Sequence, residues 1–210
     1  MSKSRLAFTV VSLILVVLEL DMLFGGRHAQ YRGGKPRAVG EFATGSLVSQ
    51  TFAAPFDGID SVTLFFWEPG RAPDTRIWLR LFRETAEGYT PVASSVVEPP
   101  PGARALVFKI PVQIHCKGHS FRVEAKALEP APPLRAFSEG SVQPGTLDVD
   151  GIEQWGDLHI VVGAASRYRT LLASIAGPRL PIGGPWLHLL GLALANWALL
   201  RFAYGLTVEQ

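Results

Sequence analysis

Hydrophobic and polar positions divide this chain into three textures. Each end carries a long apolar block, and between them lie short alternating runs broken by Gly, Pro and Asp. The first block, Leu6 to Phe24, reads LAFTVVSLILVVLELDMLF and is uncharged until Glu19 and Asp21. As a helix it would extend about 28 Å, close to the hydrocarbon thickness of a bilayer. A charge at mid-bilayer costs about 2.5–3.5 kcal/mol, so Glu19 and Asp21 belong at the interface or against a partner. Lys3 and Arg5 precede the block, and no small-x-small cleavage site follows it. Residues 1–24 are therefore expected to be an uncleaved transmembrane signal anchor. The second block, residues 181–204, reads PIGGPWLHLLGLALANWALLRFAY, with no formal charge from Leu187 to Leu200. Trp186, Trp197 and Tyr204 suit headgroup depth, and Arg201 can snorkel to the far interface. Two spans place the N-terminal residues and the tail, residues 205–210, on one side and everything between them on the other.

Between the blocks, the pattern predicts strands. Residues 25–45 form a basic, Gly-rich linker without helical or strand periodicity, expected as a tether over anionic headgroups or as an arm across a partner. The expected strands are Leu47 to Phe52, Ile59 to Glu68, Thr75 to Arg83, Pro91 to Val97, Arg104 to Ile110, Ser120 to Ala127, Thr146 to Val149 and Leu158 to Val162. Alternation is clearest in two of them. Ile77, Leu79 and Leu81 share one face while Arg76, Trp78, Arg80 and Phe82 line the other. Phe121, Val123 and Ala125 alternate with Arg122, Glu124 and Lys126. Turn clusters such as EPGRAPD, EPPPGA, CKGH and DVDG separate the runs. Short strands at this spacing predict a mainly β chain, with an antiparallel β-sandwich over residues 46–165. In Ser166 to Ala176, Tyr168, Leu171, Leu172 and Ile175 fall at helical spacing, so residues 166–180 form an interfacial helix or a plain linker into the second span.

The order of these features resembles the jelly-roll sandwich of carbohydrate-binding modules carried on extracytoplasmic parts of bacterial membrane proteins. The resemblance lies in Gln50-Thr51-Phe52 with Asp57-Gly58-Ile59, the Leu79/Leu81 strand, and Gly118 to Glu124. It continues through Gly145 to Gly151 and Gly156-Asp157-Leu158. It implies the fold first and sugar binding second, and it leaves out both apolar blocks.

Composition sharpens this picture. The chain has 210 residues, enough for one domain plus appendages. Charged residues make up 18%, and mean hydropathy is +0.21, values that argue against disorder and against a purely soluble chain. The net charge of +2 is too small to indicate a nucleic-acid binder. One cysteine excludes an internal disulfide and a Cys-rich zinc module. Basic residues flank both blocks on the domain side, but the positive-inside rule weakens for a loop this long. The export-like N-terminus therefore favours a bacterial inner-membrane protein with the sandwich in the periplasm.

Four groups of residues invite a chemical role. His115, Cys116 and His119 have ligand chemistry for zinc or copper but no evident third or fourth partner set, and HCKGH also suits a hairpin turn with Lys117-Gly118 at its tip. Asp148, Asp150, Glu153 and Asp157 offer oxygen ligands for calcium, without the spacing of an EF-hand, or are solvated turn carboxylates. No metal site is expected from either group. Trp78 and Trp155, with Trp67, offer flat faces for a glycan or a partner, or belong to the core. His188, four residues after Gly184 in the second span, loosely resembles the small-x-x-x-His pattern by which bacterial light-harvesting polypeptides hold bacteriochlorophyll. A His bonded to a neighbouring helix or to water is the plainer alternative. Gly184, Gly191 and Ala195 suggest a helix-packing face.

No nucleophile elbow, Walker loop, dinucleotide fingerprint, HExxH or paired catalytic carboxylates occur. The expectation is a non-enzymatic accessory subunit of a larger bacterial membrane complex, such as a photosynthetic reaction-centre assembly. Its partners would be other membrane-protein subunits and membrane lipids, with no nucleic acid. The alternative is a membrane-tethered glycan-binding module.

Overall fold

The structure is a computed structural model that describes residues 16–17, 25–31, 34–39, 42–68, 75–138, 145–166 and 169–170. The two expected spans (Val16 and Val17 apart), His188 and the tail lie outside the described residues, as does the interfacial segment except Arg169 and Thr170. Among the described residues no helix is long and apolar enough to cross a membrane.

Thirteen strands among the described residues build the body. They are β1 (Arg27–Tyr31), β2 (Pro36–Val39), β3 (Leu47–Ala53), β4 (Ile59–Phe65), β5 (Ile77–Thr85), β6 (Gly88–Val97) and β7 (Ala105–Gln113). There follow β8 (Ser120–Ala127), β9 (Leu134–Phe137), β10 (Leu147–Val149), β11 (Ile152–Gln154), β12 (Asp157–Leu158) and β13 (Ile160–Ala164). A four-stranded sheet has the order β1-β13-β4-β7, and a six-stranded sheet the order β11-β10-β3-β8-β5-β6. A third sheet, β12-β9-β2, completes the body, and every pairing is antiparallel.

The inward faces of the two larger sheets meet in one core, which makes the molecule β-sandwich-like. Val62, Leu64, Leu106, Phe108 and Ile160 of the smaller sheet pack with Phe52, Ile77, Leu79, Leu81 and Phe121 of the larger. Val39, Leu134 and Leu158 of the third sheet join the same core. Full burial of each such side chain contributes about 1.5–3 kcal/mol, which is why strict alternation in β5 and β8 sets which face turns inward. The Phe52 and Phe121 rings stack at 5.9 Å across paired strands.

Two differences from the sequence reading bear on function. The expected linker contains two strands. β1 pairs with β13, and β2 with β9. Tyr31 anchors β1 through its hydroxyl, which donates to the Ala53 carbonyl at 2.8 Å, while Val39 of β2 is buried. Strands of five and four residues with so few apolar side chains leave no period to read. Second, CKGH is not a hairpin tip. β7 and β8 lie in different sheets, so residues 114–119 cross from one sheet to the other. The tight turn remains, closed by His119 N–H donating to the Cys116 carbonyl at 2.9 Å.

Candidate functional site

The alternation that buries Ile77, Leu79 and Leu81 turns Trp78, Arg80 and Phe82 of β5 onto the outer face of the six-stranded sheet. β8 does the same for Arg122, Glu124 and Lys126. Register then decides who meets whom. Trp78 stands opposite Lys126, Arg80 opposite Glu124, and Phe82 opposite Arg122. On the other flank, the edge strand β6 sets Ser94 opposite Arg80 and Tyr89 opposite Glu84.

The result is an interleaved ladder of aromatic rings and guanidinium groups. The Arg80 guanidinium lies 4.4 Å from the Trp78 ring centre and 5.4 Å from that of Phe82. Arg122 lies 5.1 Å from Phe82 and 4.6 Å from Tyr89. Each stacking of this kind contributes about 0.5–1 kcal/mol at a partly exposed site. Glu124, only 6% exposed, sits between the two arginines, with Arg80 Nη2 at 2.6 Å and Arg122 Nη2 at 2.9 Å. The Trp78 indole N–H donates to Ser94 Oγ at 2.6 Å. One carboxylate thus fixes two planar cations, and they in turn hold three rings in place. The arrangement offers a rigid, amphipathic face. Its groups can stack on flat partners, pair with charges and hydrogen-bond.

The remaining predicted site residues fall elsewhere. Trp155 is 78% exposed in the turn between β11 and β12, where its carbonyl accepts a hydrogen bond from the Arg37 guanidinium of β2. β11 and β5 stand four ladder steps apart, about 19 Å at ordinary strand spacing, so Trp78 and Trp155 do not share one platform. Trp67, 41% exposed, follows β4 in the other sheet, and its N–H donates to the Pro133 carbonyl at 2.8 Å.

The four carboxylates near the end of the sandwich serve different structures. Asp148 Oδ1 accepts from Gly151 N–H at 2.9 Å, and Asp150 Oδ1 accepts from Leu47 N–H at 2.6 Å. Asp157 is buried, and its Oδ1 accepts from Gln50 Nε2 at 3.2 Å. Glu153, on β11, faces Asp148 across the ladder. Among the described residues no group of three or more His, Cys, Asp or Glu side chains is placed to hold a metal.

Cys116 is fully buried, and burial pushes its thiol pKa up. Its neighbour Asp57 holds the crossing loop from the opposite side. Asp57 Oδ1 accepts from Cys116 N–H at 2.6 Å and from Lys117 N–H at 2.9 Å. The Lys117 N–H chiefly holds this carboxyl below the usual range, helped by the Cys116 N–H and by the His115 and Lys117 charges.

Sequence reasoning found the Trp78 and Arg122 faces separately but missed their union, together with Tyr89 and Ser94. Only the cross-strand register carries that information, and no residue pattern in β6 announces it. A part-buried polar contact was also missed: Gln30 Nε2 meets His159 Nε2 at 2.6 Å, and the His159 ring stacks on Phe65 at 4.0 Å.

No known protein family matches this chain, and no curated protein does. Among solved structures it is similar to a Clostridial cysteine protease, Cwp84 after propeptide cleavage, at 10% identity and a TM-score of 0.43. That match covers 67% of this chain and 40% of the protease chain, so the chain spans less than half the protease's length. It is similar to the Yersinia pseudotuberculosis-derived mitogen at 8% identity and a TM-score of 0.29, covering 66% of this chain and 86% of that one. A carbohydrate-binding module specific for non-crystalline cellulose, CBM28, matches at 9% identity and a TM-score of 0.25, over 64% of this chain and 73% of that one.

Proposed function

We propose that this chain is a non-catalytic, membrane-anchored accessory subunit of a larger bacterial membrane complex. In this reading its jelly-roll-like sandwich docks a protein partner through the aromatic–arginine face. The observation that carries the reading is the ladder Trp78–Arg80–Phe82–Arg122–Tyr89 with Glu124 at its centre. Trp, Tyr and Arg dominate the hot spots of protein interfaces, because each combines a large apolar surface with hydrogen-bonding capacity. Here they are held rigid, so little side-chain entropy is lost on docking. The arginine stacked on Trp78 also occupies one ring face that a sugar would need.

The mechanism is scaffolding. Two terminal helices hold the body against the inner membrane, and the outer sheet face presents the ladder to a neighbouring subunit. Support for the anchoring comes from the apolar blocks and from one feature of the body. Arg27 at the start of β1 pairs with Ala164 at the end of β13, so the chain enters and leaves the sandwich side by side. That is the geometry two adjacent spans require.

Photocrosslinking in intact membranes tests the docking face. A photoreactive amino acid at position 96, opposite Trp78 on β6, is expected to give a discrete protein adduct that disappears on Trp78→Ala. The same probe at position 107, on the exposed face of the smaller sheet, should give none. Equal labelling from both positions, or an adduct indifferent to Trp78→Ala, contradicts the reading. The high exposure of Trp155 favours a second reading, a glycan site at the β11–β12 turn. It predicts glycan-array signals that Trp155→Ala abolishes and Trp78→Ala spares.

A further inference from the structure

A cleft of about 680 Å³ opens at the pole of the body where the chain enters and leaves. Gly25 and Arg27 line it from the start of β1, Ala164 and Ala165 from the end of β13, and Thr170 from the helical turn beyond. Two connections complete it: Pro55, Phe56 and Asp57 from the β3–β4 link, and Ile114, His115 and Lys117 from the β7–β8 crossing. Gly25 directly follows Phe24, the last residue of the first apolar block. In the sequence, the first residue lining the cleft thus adjoins the end of the expected first span.

Its chemistry is layered. Phe56, Pro55 and Ile114 supply apolar wall, while Arg27 and Lys117 supply two exposed cations. The opposing charge is Asp57, whose Oδ1 is already taken by two backbone N–H groups. The walls are tied in place. Arg83 donates to the His115 carbonyl at 2.9 Å, Arg169 pairs with Asp60 at 3.1 Å, and Thr170 N–H donates to the Ser166 carbonyl at 3.0 Å. Gly58, next to Asp57, packs closely on Thr170, where a Cβ would lie 2.3 Å from Thr170 Oγ1.

We propose that this cleft seats the phosphate-bearing headgroup of an anionic phospholipid in the leaflet next to the body. The proposal rests on the membrane anchoring argued above and adds a specific lipid contact to it. Arg27 and Lys117 pair with the phosphate, and the Phe56–Ile114 wall packs against the glycerol and the first acyl carbons. The volume suits one headgroup, being within the range of small-molecule sites. Basic side chains close to an anionic surface each add to affinity, and a cleft lined by two of them converts general attraction into selection.

The test uses the full chain in nanodiscs of phosphatidylcholine with a minority of phosphatidylglycerol, reading bound lipid by native mass spectrometry after transfer to detergent. The wild type should retain phosphatidylglycerol over phosphatidylcholine. Arg27→Gln with Lys117→Gln should lose about tenfold or more of that preference. Arg104→Gln with Lys109→Gln, an equal charge change on and before β7, should keep it. Retained lipid that is the same in both double variants overturns the proposal. So does inorganic phosphate, titrated against the protein in pure phosphatidylcholine discs, binding at the cleft as tightly as the lipid does. Thermal melts of each variant separate loss of the site from loss of the fold. Carbonate washing of membranes reads the anchoring independently. A chain that stays in the membrane without lipid preference overturns the cleft alone, and a chain that washes off overturns the anchoring.

Discussion

The phenol of Tyr31 is half-buried beside Phe52 and donates to the Ala53 carbonyl, and burial pushes its pKa from the usual 10.0 up to about 12. Because the folded pKa lies above the unfolded one, the stabilisation is complete below pH 10 and is lost as pH rises from 10 through 12. Denaturant midpoints measured across that window should fall in the wild type, and Tyr31→Phe should flatten the fall. At neutral pH the same variant costs about 1 kcal/mol for the lost hydrogen bond. Asp57 runs the other way. Its lowered pKa means that its contribution is present above the usual 3.8 and is lost as pH falls through the folded value. Asp57→Ala removes the acceptor for two backbone N–H groups, worth about 1 kcal/mol at this exposed site. The loop that covers Cys116 should then open more often. Thiol labelling of Cys116, slow in the wild type because the side chain is buried, should speed up about fivefold. Equal labelling rates would show that Asp57 does not hold the crossing loop.

Strands and turns carry the next level. Glu124 is nearly buried between two guanidinium groups, so Glu124→Ala leaves Arg80 and Arg122 facing each other without a counter-charge. A loss of about 2 kcal/mol is expected in chemical denaturation, at the lower end for broken ion pairs because both arginines are partly exposed. At the turn after β11, Gly156 has φ 105°, and a Cβ there would lie 2.1 Å from the Phe137 carbonyl oxygen. Gly156→Ala should therefore cost about 2 kcal/mol or more, read as a lower melting temperature. The long alternating strands were legible in the sequence for a plain reason: β5, β7 and β8 each turn every second, apolar side chain into the core, and that period survives in the residues. The turn DVDG was legible too, since Asp150 and Gly151 both have positive φ in the two-residue loop between β10 and β11. β1, β2, β9 and β11 were not, because strands of three to five residues are too short to show a period. The ladder was half legible. Trp78, Arg80 and Phe82 share a face by alternation alone, but their pairing with Arg122, Glu124 and Tyr89 is a property of register, which long-range contacts set.

At the scale of the whole molecule, the body places its two candidate contact regions on different surfaces. The ladder lies on the outer face of the larger sheet, and the basic cleft lies at the pole where the chain enters and leaves. The two regions share no residue, so the proposed docking face is separable from the proposed lipid site by mutation. The most direct test is therefore to extract the full chain in a gentle detergent and compare its size with that of Trp78→Ala combined with Arg80→Ala. The wild type should migrate in an assembly far larger than its own 22.8 kDa, and the double variant should stay membrane-bound yet run as a single chain with its detergent. A wild-type chain that already runs alone, or a double variant that stays in the assembly, would contradict the account.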